Sequence, residues 1–229
     1  MKSCAIIPAR GGSKRIPHKN IIDFYGKPLI GWTIEAALKA DIFNAIYVST
    51  EDDEIIKMCS IYPIEIIKRR ACYDDHSTVQ QATIETLKQI EEERGETYDT
   101  VVQLMANCPL RDWADITDAW DNYWQCKAKF QLSCCDYGFT NPWWAMETPE
   151  HPRPLFPKAL KMRSQDLQKV YCPSGAIWIA DVAELMKHQT FYAPGYILYP
   201  LDRNNALDID DYNDLELAKR IKRSDIDAE

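Results

Sequence analysis

The sequence predicts an α/β fold, a mostly parallel sheet with helices on both faces. Three observations predict it. Short apolar runs alternate with longer segments of helical spacing through the first half of the chain. A basic loop carrying Gly11 and Gly12 follows the first apolar run directly. The chain has 229 residues, enough for one such domain with an excursion.

The elements follow in order. Residues 4–7 are an apolar strand that breaks at Pro8. Pro28 suits the first turn of a helix running to about residue 40, with Leu29, Trp32, Thr33, Ala36 and Ala37 at helical spacing. Residues 45–49 form the second strand. Thr50 is expected to cap a helix whose first turn holds Glu51, Asp52 and Asp53. Residues 64–67 are the third strand, and a polar loop leads to a helix over 78–94. Residues 100–105 are the fourth strand, followed by a helix over 112–125. This order places ligands at the carboxyl ends of the strands. The loops 10–20, 69–77 and 107–111 are therefore expected to share one crevice.

The character changes after about Gln131. Residues 138–161 hold Pro142, Pro149, Pro152, Pro154 and Pro157 among Trp143, Trp144 and Phe156. This stretch is too aromatic for a disordered linker. It reads as a dimerisation arm, extending to about residue 170 within a single domain over 1–229. The chain then returns through a strand at 174–180, a short helix capped by Asp181, a strand at 196–199 and a last helix over 212–222.

Arg10, Lys14, Arg15 and Lys19 crowd the opening loop beside Ser13 and Asn20, although the formal net charge is -8. Cations and glycine N–H groups in one loop make a polyphosphate cradle. The acidic remainder argues against nucleic acid as partner. Asp208 and Asp210 are the second constellation. At i and i+2 in an extended segment they share a face, with Ile209 pointing into the core. Two such carboxylates repel unless a cation lies between them, and magnesium suits carboxylates combined with phosphate oxygens. The competing reading is that Asp210 or Asp211 merely caps the last helix. The eight cysteines show no zinc spacing and no C-x-x-C. With no signal peptide and no membrane-spanning run, this gives an expected cytoplasmic location and no membrane partner.

The stretch Ile7-Pro-Ala-Arg-Gly-Gly-Ser-Lys-Arg-Ile-Pro-His-Lys-Asn20 resembles the signature of the CMP-sialic acid synthetases, or acylneuraminate cytidylyltransferases. Gly26-Lys-Pro-Leu-Ile30, Val48-Ser-Thr50, Cys108-Pro-Leu-Arg111, Gln165-Asp-Leu167, Gly175-Ala-Ile177 and Asp208-Ile-Asp210 follow in that family's order. The resemblance implies a Rossmann-like three-layer sheet of nucleotidyltransferase type and a homodimer. It implies transfer of CMP from CTP to the anomeric hydroxyl of a nonulosonic acid (N-acetylneuraminic, legionaminic or pseudaminic), with release of pyrophosphate and Mg²⁺ as cofactor. Arg10, Ser13, Lys14, Lys19 and Asn20 match the triphosphate-binding positions. Pro8 and Ala9, with Arg69, match the cytosine-reading region, and Asp208 and Asp210 match the metal carboxylates. Gln103 matches a sugar-contacting position, and Trp178, Phe191 and Tyr192 match an aromatic patch at the sugar's acyl group. Core packing is the alternative reading of those three aromatics.

Ser164 and Cys172 stand where the family's sialic acid enzymes often carry arginines, so either Arg163 supplies the cation for the sugar carboxylate or the sugar is held differently. The related enzyme for the eight-carbon sugar acid, 3-deoxy-manno-octulosonate, is the alternative. Its opening loop usually ends Leu-Pro-Gly-Lys-Pro, whereas here Ile16-Pro-His-Lys-Asn20 stands. A dinucleotide-binding oxidoreductase would need G-x-G-x-x-G, which is missing here. A nucleotide-binding regulator would not need the paired aspartates.

Overall fold

A computed structural model describes residues 1–226. Seven strands form the central sheet: β1 (Ser3–Pro8), β4 (Ala45–Thr50), β5 (Glu65–Lys68), β6 (Thr100–Gln103), β7 (Phe130–Asp136), β8 (Tyr171–Asp181) and β9 (Ile197–Pro200). A two-residue hairpin, β2 (Asp23–Phe24) with β3 (Lys27–Pro28), lies outside it. The helices are α1 (Leu29–Ala40), α2 (Asp53–Cys59), α3 (Val79–Arg94), α4 (Trp113–Gln125), α5 (Val182–His188) and α6 (Tyr212–Ile226).

The strand order is β5-β4-β1-β6-β8-β7-β9. β1, β4, β5 and β6 are mutually parallel, and β9 is parallel to β7. Only β8 runs against its neighbours. Alternation along β1 divides the core. Ala5 and Ile7 face Ile30 and Ile34 of α1 and Ile116 of α4. Cys4 and Ile6 face Ile84, Leu87 and Ile90 of α3. The mostly parallel sheet with helices on both sides is the predicted architecture.

Four local expectations are corrected. Asp52, not Thr50, caps α2: its carboxylate accepts from the N–H groups of Glu54 and Ile55. Thr50 stays in β4, and its hydroxyl accepts from the Asp52 N–H at 3.1 Å. The strand expected over 100–105 ends at Gln103. Strand β7 was not foreseen, because Gln131 and Ser133 interrupt its apolar run. Both are buried with their polar groups paired: Gln131 Nε2 donates to the Ala119 carbonyl, and Ser133 Oγ accepts from the Ile177 N–H.

A third core cluster decides where the site lies. Ile16 from the opening loop, Ile209 and Leu215 are buried together with Phe24, Leu29 and Leu110. The basic loop and the segment between the two aspartates are thus held by one small apolar centre.

The predicted arm, from 138 to about 170, leaves the end of β7 and returns into β8 with only 3-10 turns and an isolated bridge. Its apolar side chains are exposed, Phe139 at 89% and Leu155 at 53%. No helix among the described residues is long and apolar enough to cross a membrane.

Candidate active site

The loops after β1, β5 and β6 meet in one crevice of about 450 Å³ at the carboxyl ends of the parallel strands. Arg10, Lys14 and Lys19 enter from the first loop, Arg69 and Thr78 from the second, Asn107 from the third. Asp210 closes the near wall.

The opening loop is shaped by its own contacts. The Asn20 amide donates to the Arg10 carbonyl at 2.9 Å, which closes the loop on itself. Gly11 is required by close approach: a Cβ there would lie 1.9 Å from the Asp52 carboxylate. Its N–H donates to Glu51 at 2.8 Å rather than facing the crevice. The other Glu51 oxygen accepts from Arg69 at 3.2 Å. Arg69 also donates to the Ser49 carbonyl, and burial lowers its pKa despite the Glu51 charge. Glu51 is therefore the hub between the loop and Arg69. In the sequence it looked like an ordinary first-turn acid of α2. The later start of that helix turns it back toward β1. The Ala9 N–H is committed to the Ser49 carbonyl at 2.9 Å, which leaves Pro8 and Ala9 only carbonyls to offer a base.

The aspartates stand free of the helix cap. Asp211 caps α6, accepting from the N–H groups of Asn213 and Asp214, and Asp214 accepts in return from Asp210 and Asp211. This rules out Asp208 and Asp210 as mere capping carboxylates. Asp210 instead accepts from Lys19 at 3.0 Å and from Arg15 at 2.7 Å, across nearly the whole chain. Burial would raise the Asp210 pKa, but the Lys19 and Arg15 contacts outweigh it and hold the carboxylate ionised. Asp208 is the opposite case. Burial, then the Asp210 charge, raise its pKa. An added cation would relieve both effects. Ile209 between them is fully buried, as expected.

The resemblance places the family's usual aspartate of the polar loop after β5 at Asp74 or Asp75 without separating the two. Asp75 pairs with Arg10 at 3.0 Å and with Lys14, while Arg10 also donates to the Asp74 carbonyl. Asp75 is held below its usual pKa chiefly by the Lys14 contact. Each cation of the opening loop thus already faces a carboxylate. The sequence shows these acids, but nothing in their spacing shows which cations they meet.

The sugar-side residues are less gathered. Gln103 is fully buried under the crevice floor. Its carbonyl oxygen accepts from Thr83 at 2.8 Å, and its amide nitrogen has no protein partner. Trp178 packs 5.3 Å from Phe191 and 5.6 Å from Tyr192. Phe191 is wholly core, Trp178 nearly so, and only Tyr192 reaches solvent substantially. Arg163 is not brought to the crevice. It lies exposed in the excursion, bound to Asp166 at 2.7 Å. The Arg111 side chain, buried to 1%, donates to the Ala176 carbonyl at 2.7 Å and fastens the crevice loop to β8.

Residues 4–135, which span this nucleotide-side machinery, match the cytidylyltransferase family. The chain belongs to that family. It is 35% identical to a pseudaminic acid cytidylyltransferase of Campylobacter jejuni, over 96% of this chain and 95% of the relative. It is 29% identical to an N-acylneuraminate cytidylyltransferase of Streptococcus agalactiae over 93% of the chain, and spans about half (52%) of that longer protein. Among solved structures, a CMP:2-keto-3-deoxy-manno-octonic acid synthetase complexed with CTP superposes with a TM-score of 0.74 at 16% identity, covering 98% of this chain and 100% of the other. That likeness extends the fold to the whole chain. As a family member the protein is a nucleotidyltransferase.

Proposed function

We infer that this cytidylyltransferase activates a nonulosonic acid. It transfers CMP from CTP to the anomeric hydroxyl and releases pyrophosphate. The observation carrying the reading is the convergence of Lys19 and Arg15 on Asp210 in a crevice otherwise lined by triphosphate-type cations. The named relatives that cover the chain act on acids of this class.

In the reaction the sugar hydroxyl attacks the α-phosphorus, the bond to the β-phosphate oxygen breaks, and the hydroxyl proton is lost. Arg10, Lys14 and Lys19, with Ser13 and Asn20, would bind the triphosphate and offset the charge growing on the leaving pyrophosphate. Arg69, Pro8 and Ala9 would seat the cytosine. Gln103 would donate its unpartnered amide to the sugar, and Tyr192, backed by Trp178 and Phe191, would pack against its acyl group.

Asp208 and Asp210 would hold magnesium. Burial, then the neighbouring Asp210 charge, raise the Asp208 pKa, and a bound cation would offset the repulsion between the two carboxylates. Among the described residues no group of three or more His, Cys, Asp or Glu is placed as a closed metal cage. Two carboxylates completed by phosphate oxygens and water are magnesium's usual set. When bound, the ion would supply charge neutralisation and an acidified hydroxyl.

We read the excursion as the dimerisation arm. Trp143, Leu155, Phe156 and Met162 line an apolar groove there that a second copy would cover. The unpaired thiols fit a cytoplasmic location.

Pyrophosphate release with CTP and Mg²⁺, over a panel of nine-carbon acids plus the eight-carbon acid, tests the reading. Turnover of one or more nine-carbon acids is expected. No release with any of them, or release with the eight-carbon acid alone, refutes it.

A further inference from the structure

Strands β7 and β8 change register at a bulge. Leu132 pairs with Trp178, but Cys134 pairs with Pro173. Beyond the bulge, Cys135 and Cys172 stand directly opposite each other in the antiparallel ladder. Directly opposed residues project from the same face, with Cα atoms about 4.5–5.5 Å apart. A disulfide accepts Cα separations of about 4.4–6.8 Å. Both thiols are free and neither is buried. The next residue along, Cys134, projects from the opposite face and is fully buried.

The surroundings show how close the two thiols are. Burial, then Cys172, raise the Cys135 pKa, and Asp208 adds to the effect. Burial, then Cys172, also raise the Tyr137 hydroxyl. Cys172 is within electrostatic reach of Tyr192 as well. The pair lies where the excursion leaves β7 and rejoins the sheet in β8.

We propose that Cys135 and Cys172 are a reversible thiol modification site, closing to a cross-strand disulfide when a small disulfide oxidant such as oxidised glutathione is present. Cys172 Sγ stands at an exposed position, so the first attack falls to it. Its thiolate attacks one sulfur of the oxidant, a mixed disulfide forms, and one small thiol leaves. The Cys135 thiolate then attacks the Cys172 sulfur and expels the second small thiol. The protein loses two electrons, the oxidant is reduced to two thiols, and the two cysteine protons end on those thiols. The link would staple the first residues of β8 to β7.

The test treats the full chain with oxidised glutathione, alkylates it under denaturing conditions and maps the peptides by mass spectrometry. Two of the eight thiols are expected to escape alkylation, in a Cys135–Cys172 linked peptide that dithiothreitol releases. Cys172→Ser and Cys135→Ser should each abolish the link, while Cys134→Ser should keep it. A link through Cys134, a stable glutathione adduct in place of the cross-link, or alkylation of all eight thiols overturns the proposal. A second arm rests on the nonulosonic acid reading: oxidation should raise the sugar KM several-fold and leave directly measured CTP binding unchanged. An unchanged sugar KM removes the pair from the sugar end. The peptide map involves no substrate, so the two readings fail separately.

Discussion

Asp75 occupies the cations that a triphosphate would use. On the proposed reading, Arg10 and Lys14 would exchange this carboxylate for phosphate oxygens when nucleotide binds. Asp75→Asn is therefore expected to tighten CTP binding several-fold at low ionic strength, with the advantage shrinking as salt rises. Calorimetric titration at two salt concentrations checks this, and weaker binding would show that Asp75 contributes to the nucleotide site. Asp210→Asn should act differently. Its carboxylate organises Lys19 and Arg15, and turnover should fall by roughly 100-fold or more. The melting temperature should fall only modestly, since Asp210 is 40% exposed and its Arg15 partner is mostly solvated, with only Lys19 largely covered. Gly11→Ala drives a methyl group into Asp52, the cap of α2. Loss of that cap costs about 1 kcal/mol, and the loop above it must shift, so CTP KM should rise with stability only mildly reduced. At this scale the sequence was most legible where charge stands out against its background, as in the basic loop and the paired aspartates. Glu51 was hidden because an acid in a first helical turn looks ordinary until the fold shows what it faces, and for Asp74 and Asp75 the sequence did not say which of the two meets the cations.

At the scale of elements, period and caps carried most of the reading. The strands β1, β4 and β5 and helices α1, α3 and α4 were legible because apolar spacing and turn residues agree there. Strand β7 was not, because its buried Gln131 and Ser133 break the apolar run while satisfying partners that only the fold supplies. Asp181 shows a cap read correctly. It accepts from the Glu184 N–H at 3.0 Å and pairs with Lys129 at 2.9 Å. Burial would raise its pKa, but the Lys129 contact and the α5 N–H groups prevail and lower it. A lowered carboxylate pKa stabilises the fold above the ordinary aspartate range, and this stability is lost as pH falls through the lowered value. Thermal melts from pH 7 down to pH 2.5 should show Asp181→Asn costing most at neutral pH and progressively less toward the acid end. A constant difference would remove the charge from the account.

For the molecule as a whole, the sheet was predictable from alternation and the excursion's bounds from its composition, whereas what the excursion packs against was not. Proline and aromatic content marks the segment as unusual, but no periodicity says against what it packs. Its exposed Phe139, Trp144 and Phe156 predict a protein larger than one chain in solution. Light scattering behind size exclusion should give the mass of a dimer, and Trp144→Asp with Phe156→Asp should give a folded monomer. A wild-type monomer at all concentrations would reassign the arm. The sugar-side residues stayed least legible for a related reason. Trp178, Phe191 and Tyr192 form one aromatic cluster, and sequence cannot divide such a cluster between core and site.

The small apolar centre of Ile16, Ile209 and Leu215 also has a temporal meaning. Asp210 reaches Lys19 across 191 residues of chain. During synthesis the parallel strands and the basic loop emerge long before the aspartates. A ribosome-bound chain therefore carries a half-built crevice in which Arg10 and Lys14 can already meet Asp75 while Arg15 and Lys19 still lack Asp210. On the proposed reading, the site is complete only once residues 208–210 have been made and the apolar centre with Leu215 has formed.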